Sequence, residues 1–137
     1  KSSLGEWIIN ELQNGCPING FKDAYFGSNY TFELAKILAK AIEYDLKGVY
    51  NCCSRDSCSK YEFAIRIANR FNLDADLIRP ISLDEFSFKA PRCKNMKLGV
   101  GKIEESLQIK LPAIQDSVEQ FYTDYKRKLP ELLKSGS

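Results

Sequence analysis

The sequence predicts an α/β chain in which helices predominate and a few short strands lie between them. Two observations carry that prediction. Stretches with apolar residues at helical spacing alternate with short extended runs bounded by Gly, Pro and Asn. The order reads helix, strand, helix, strand, helix, strand, helix, helix, with strands too few and short for a free-standing doubly wound sheet. In addition, 137 residues of which 44% are hydrophobic suit one domain over 1–137, able to build a core without disulfide or metal.

The first helix is expected from about Ser3 to Asn14. Ser3 and Glu6 form a capping box, Leu4, Trp7, Ile8 and Leu12 share a face, and Gly15 with Pro17 ends it. Ile18 to Phe26 reads as one strand, and Gly27-Ser28-Asn29 as a turn. The second helix runs from Thr31, its expected N-cap, to Tyr44, with Leu34, Leu38, Ala41 and Ile42 as its buried stripe. Val49 to Cys53 reads as a buried strand. Ser59-Lys60-Tyr61-Glu62 is a second capping box, opening a helix to Phe71. Leu77 to Ile81 is a short strand that Pro80 confines to an edge. Ser82 caps a single helical turn, and Phe86 to Lys97 is a long irregular stretch of the kind that often carries function. Val100, Ile103 and Leu107 line one more helix. Ile114, Val118, Phe121, Tyr122 and Tyr125 line the last, with Pro112 in its first turn and Lys126-Arg127-Lys128 against the negative end of its dipole.

Composition excludes several classes of function. Lys plus Arg is 20 and Asp plus Glu is 18, a balance that argues against a nucleic-acid binder. No apolar run reaches the ~20 residues of a membrane span. With no histidine, the usual Ser-His-Asp and Cys-His nucleophile systems and all His-containing metal sites drop out. The 5 cysteines, with no secretory leader, point to a reducing, cytoplasmic setting. Cys52, Cys53 and Cys58 lack the paired spacing of a zinc knuckle, so no metal is expected, and the first two read as strand residues facing in and out. Lys1-Ser2-Ser3-Leu4 has neither an initiator Met nor an apolar leader, so the chain reads as a piece of something longer. Its end, Lys134-Ser135-Gly136-Ser137, is small and polar.

Three segments bear on chemistry. Gly99-Val100-Gly101-Lys102 lacks the spacing of a phosphate loop, and Ile103 stands where a Ser or Thr would meet magnesium. Tyr122-Thr123-Asp124-Tyr125-Lys126 fits Tyr-x-x-x-Lys, a pair in which lysine lowers the tyrosine pKa for acid catalysis. It lacks the upstream strand and glycine turn of a cofactor site and lies on an apolar stripe, so no catalytic residue is assigned. Ala90-Pro91-Arg92-Cys93-Lys94-Asn95-Met96 is the most suggestive. Arg92 is suited to grip a phosphate through two parallel hydrogen bonds, with Lys94 adding charge and Asn95 a donor. An arginine that merely caps neighbouring carbonyls is the alternative.

From Leu4 to about Lys128 the chain resembles the C-terminal part of the dTDP-4-dehydrorhamnose reductase family, extended short-chain dehydrogenase/reductases that act on nucleotide sugars. The resemblance is carried by Phe21-Lys22-Asp23-Ala24-Tyr25-Phe26, Tyr30-Thr31-Phe32-Glu33-Leu34-Ala35, Lys47-Gly48-Val49-Tyr50-Asn51 and Ser59-Lys60-Tyr61-Glu62-Phe63-Ala64. Arg79-Pro80-Ile81-Ser82 and Ala90-Pro91-Arg92 with Lys94-Asn95-Met96 complete it. The chain departs from the family pattern at Gly27-Ser28-Asn29, at Cys93, where proline is common, and at Gly99.

The resemblance implies a substrate-binding part whose partner is an N-terminal Rossmann domain. That domain would hold NADPH or NADH, the glycine fingerprint and the catalytic Tyr-x-x-x-Lys, leaving no cofactor site in this chain. It implies a dTDP-sugar-like ligand, with Arg92 on the family's diphosphate-binding arginine, and a last Rossmann strand around Val49 to Cys53. The parent would pass a hydride to a 4-keto sugar, and the isolated chain would be inactive. Without its partner domain it would expose an apolar face and form a homodimer. Two alternatives stand beside this: a regulatory protein similar to the regulatory subunit of methionine adenosyltransferase, and an engineered folding domain without ligand.

Overall fold

In the computed structural model, which describes residues 2–129, one helix organises the rest. Its residues, Lys60–Phe71, form α3. Ser59 accepts from the Glu62 N–H while the Glu62 carboxylate accepts from the Ser59 N–H, so the predicted capping box starts the helix. Asn72 ends it in the left-handed region (φ 55°). Phe63, Ala64, Ile67 and Ala68 recur at helical spacing and are buried. Against this face lie α1 (Leu4–Gln13), through Ile8, Ile9 and Leu12, and α5 (Ile114–Lys126), through Ile114 and Val118. The Ser3–Glu6 capping box is formed, and Gly15 takes up φ 70° where α1 stops.

Two small sheets flank the helices. β1 (Ile18–Phe21) pairs in parallel with β4 (Ile78–Ile81), burying Ile18 and Ile78 beside α3. Gly20 permits that closeness: a Cβ there would stand 2.9 Å from the Tyr61 Cα. In the other sheet β2 (Tyr25–Phe26) is central, antiparallel to β3 (Cys58–Ser59) and parallel to β5 (Asn95–Met96). A second, smaller core gathers Ile37 of α2 (Thr31–Glu43), Cys53, Leu111, and Val100, Ile103 and Leu107 at α4 (Gly101–Leu107).

The chain is α/β as predicted, with differences in detail. The run Ile18 to Phe26 is two strands, because the backbone turns at 22–24 and enters the second sheet. Tyr30, not Thr31, is the N-cap of α2, and it caps without its side chain. Leu38 and Ile42 are 51% and 79% exposed, so the buried position of α2 is Ile37. Val49 to Cys53 forms no strand, and Val49 is 84% exposed, since no strand among the described residues offers it a ladder. Leu77 closes a 3₁₀ turn ahead of β4. Pro112 precedes α5 rather than sitting in its first turn. The irregular stretch 86–97 contains β5. The polar end at 134–137 lies outside the described residues.

Candidate functional site

The turn between β1 and β2 fixes the position of the segment carrying Arg92. Asp23, in that turn, accepts from the Ser82 hydroxyl at 2.7 Å and the Leu83 N–H at 2.8 Å. Its carboxylate also pairs with the Lys94 ammonium at 3.1 Å, and Lys94 contacts Asp84 as well. The Lys94 carbonyl accepts from the Tyr25 N–H at 2.8 Å, where β5 meets β2. Three chain segments distant in sequence thus meet at one carboxylate. The Ser82 hydroxyl, then the Leu83 N–H, and then Lys94 hold the Asp23 carboxyl down at about 2, from its usual 3.8.

That shift sets a pH dependence. The folded pKa lies below the unfolded one, so the contribution of Asp23 is complete above about pH 4 and is lost as pH falls towards about 2. Carbon-detected NMR titration is expected to place the Asp23 carboxyl midpoint near the lower value. Asp23→Asn is expected to flatten the acid limb of the stability profile between those pH values. A midpoint near 4 would show that the clasp does not persist in solution.

Behind the clasp lies a pocket of about 270 Å³ lined by Phe21, Lys60, Leu83, Phe88, Arg92, Cys93 and others. Phe21, Phe86 and Phe88 form an aromatic group, with ring centroids 4.7 to 5.8 Å apart. Arg92 is exposed, and its guanidinium carbon lies 5.5 Å from the Phe88 ring centroid. Lys60, the first residue of α3, is tied in place by its N–H, which donates to the Ala24 carbonyl at 3.0 Å. Two cations therefore border a pocket with aromatic walls. A flat ring fits the aromatic faces, and an attached anion fits the guanidinium fork and the ammonium.

Of the residues expected from the sequence, only Arg92 lines this pocket. Lys94 is engaged by two carboxylates. Asn95 lies in β5 opposite Tyr25, and its side-chain oxygen accepts from the Lys97 N–H. Phe21, Phe88 and Lys60 line the pocket with Arg92, and sequence reasoning did not assign them to it. Phe21 and Lys60 both lie in segments carrying the family resemblance, which was the available signal. Cys93 lines the pocket too and is exposed, its thiol donating to the Asn95 carbonyl at 3.1 Å.

The other two segments build no such site. Lys126 lies over the Tyr122 ring at 5.5 Å, and Arg70 stacks on that ring at 3.5 Å, so the aromatic face is what the cations use. Gly101 opens α4, and Lys102 donates to the Val49 carbonyl at 2.8 Å while covering the Tyr50 ring. A glycine-rich turn leading from a strand to a helix N-terminus, which a nicotinamide dinucleotide needs for its pyrophosphate, is not what this segment forms. No helix among the described residues is long and apolar enough to cross a membrane.

A family model described as RmlD substrate binding domain matches residues 4–127. No curated protein sequence matches significantly. Among solved structures, the chain is similar to dTDP-4-dehydrorhamnose reductase from Bacillus anthracis, determined with NADP. The TM-score is 0.84 at 22% identity, covering 90% of this chain and 44% of that one. It is also similar to a dTDP-4-dehydrorhamnose reductase ortholog from Clostridium acetobutylicum, with TM-score 0.78, 20% identity, and coverage of 93% and 45%. A dTDP-glucose 4,6-dehydratase from Bacillus anthracis, determined with NAD, gives 0.70 at 10% identity, covering 91% and 39%. At these identities the likeness is one of fold, and the chain spans less than half the length of each of these proteins.

Proposed function

The chain belongs to the RmlD substrate binding domain family, and from that membership we propose that it holds the nucleotide end of a dTDP-sugar-like substrate for a reductase. The observation that carries this reading is the convergence of Arg92 and Lys60 on one pocket with Phe21 and Phe88. The base lies against the aromatic side chains. Arg92 takes the diphosphate through its planar fork, and Lys60 supplies a second positive charge. Lys94 and Asn95 act at the same site by holding the segment that presents Arg92. The hydride donor, NADPH or NADH, and the residues that move protons belong to a Rossmann domain supplied by the longer protein. Isolated, this chain binds without turning over.

Cys93 offers a direct test. Saturating dTDP is expected to slow alkylation of Cys93 severalfold while leaving the exposed Cys16 unaffected, read by mass spectrometry of the proteolytic peptides that carry each cysteine. A ligand at a hundred times its Kd also stabilises the fold by about 2.7 kcal/mol, visible as a thermal shift. NADPH is expected to do neither. Equal labelling of Cys93 with and without dTDP, and no thermal shift, would remove the nucleotide from this pocket.

The face of α2 is a second surface that calls for a partner. Leu38 and Ile42, four positions apart and so on one side of α2, are exposed large apolar side chains, and chance exposure of a single one would need no explanation. The pair supports a surface that the longer protein covers with its Rossmann domain. The isolated chain is expected to cover it by forming a homodimer. Light scattering at high concentration is expected to give more than the monomer mass, and Ile42→Lys to restore the monomer. A monomeric mass at every concentration would show that this surface needs no cover.

A further inference from the structure

The pocket bearing Arg92 has two walls that differ in how they are held. Phe88, Arg92, Cys93 and Met96 come from one segment, residues 86–97, while Phe21 and Lys60 on the other wall belong to β1 and α3. Every residue of that segment except Phe88 is exposed, and its backbone is irregular outside β5. Buried residues bracket it, Leu83 before and Val100 after. The segment is therefore a strap laid along the pocket and anchored beyond both ends.

Backbone contact between the strap and the core is short. β5 pairs with β2 at Tyr25–Asn95 and Phe26–Met96, and the Tyr25 N–H donates to the Lys94 carbonyl at 2.8 Å. The Lys94 ammonium adds ion pairs to Asp84 and, at 3.1 Å, to Asp23. Asp23 does not depend on the strap for its own place, because the Ser82 hydroxyl and the Leu83 N–H hold it. Release of Lys94 thus leaves its receiving carboxylate in position to take it back. Phe86 and Phe88 rest near the Phe21 ring, 5.8 and 5.6 Å between centroids, in apolar contacts that carry no direction of their own.

We propose that residues 86–97 open and close over the Arg92 pocket as a unit, with Lys94 as the latch on Asp23 and Asp84. Opening carries Arg92 and the other strap side chains away from Lys60 and Phe21, so the pocket is complete only while the latch is closed. Segments with exposed side chains and short backbone pairing are the ones that open locally while the core stays folded, and such motion commonly admits and releases a ligand. That the ligand passing this strap is a nucleotide rests on the function proposed above. The motion itself does not.

Amide hydrogen exchange of the ¹⁵N-labelled chain tests the motion without ligand. The Tyr25 amide bonds to the strap, whereas the Lys60 amide bonds to the Ala24 carbonyl and stays with the core. Tyr25 is expected to be less protected than Lys60. Asp84→Asn combined with Lys94→Gln removes one charge of each sign and so keeps the net charge. This double change is expected to speed Tyr25 exchange severalfold and to leave Lys60 as it was. Lys94→Arg, which keeps the cation, is expected to exchange like wild type. Saturating dTDP is expected to slow Tyr25 exchange. In NMR line shapes, the double change is expected to raise the association and dissociation rates of dTDP together, whereas a lost ligand contact would raise dissociation alone. Equal protection of Tyr25 and Lys60, a Tyr25 rate that the double change leaves alone, or association that stays fixed while Tyr25 exchange speeds up would each overturn the proposal. If dTDP does not bind, the nucleotide reading falls, and the two amides still decide whether the strap opens.

Discussion

Arg92→Ala is expected to weaken dTDP binding ten- to a hundredfold and to leave the melting temperature unchanged. A charge-assisted, two-pronged contact to phosphate is worth roughly 1.5–3 kcal/mol, which corresponds to that range of affinity. The fold is expected to survive because Arg92 is exposed and its one described side-chain contact is the Phe88 ring at 5.5 Å. Arg92→Lys keeps the charge and loses the fork, so it is expected to fall between wild type and Ala. Calorimetric titration of dTDP into all three, with thermal melts of each, decides the matter. Equal affinities would reduce Arg92 to a loop residue without a ligand. A melt that drops with the alanine variant would make it a structural one.

Ile67→Ala is expected to have the largest effect on stability. Ile67 is 0% exposed on the inner face of α3 and belongs to the core shared with α1 and α5. Truncating such a residue costs roughly 2–5 kcal/mol, the lost transfer energy plus a cavity that the surroundings only partly close. Against a total of about 5–15 kcal/mol for a natural domain, that is a large share. A fall in Tm on the order of 10 °C is expected. The same change tests the site, because the first residue of this helix is Lys60. If dTDP still binds the folded fraction with wild-type affinity, core strength and pocket geometry are separable. A loss in Tm under about 1 °C would show that α3 does not carry the core.

What the sequence disclosed depended on how local the cause was. The capping boxes Ser3–Glu6 and Ser59–Glu62 and the Ser82 cap each act within one turn and form as read, the last as a full box with Glu85. The apolar stripes of α3 and α5 were legible because their faces are covered within this chain; in α1, Ile8 and Leu12 are buried as read, whereas Leu4 and Trp7 are each 38% exposed and Ile9 is buried in their place. Leu38 and Ile42 show the limit: periodicity marks a face as apolar and says nothing about what covers it. Val49 to Cys53 shows another limit, since a strand needs a neighbour as well as suitable residues. In the site, Arg92 was legible from its residue type and its setting. Lys60 and Phe21 lie far from it in sequence and reach it only through the fold. Asp23 was visible as a residue, but its partners Ser82 and Leu83 lie 59 and 60 positions away.

That separation shapes the order in which the domain acquires its parts. The helices can form from neighbouring residues, whereas the parallel pairing of β1 with β4 must first close a long loop and meet its entropic cost. The wall behind Arg92 exists only after that closure, because the turn holding Asp23 extends from β1 and Ser82 follows directly on β4. Helical signal in a refolding experiment should therefore return before nucleotide binding does. A chain nicked between these two strands would keep most of its helices and lose its ligand, so that binding reports the last stage of folding.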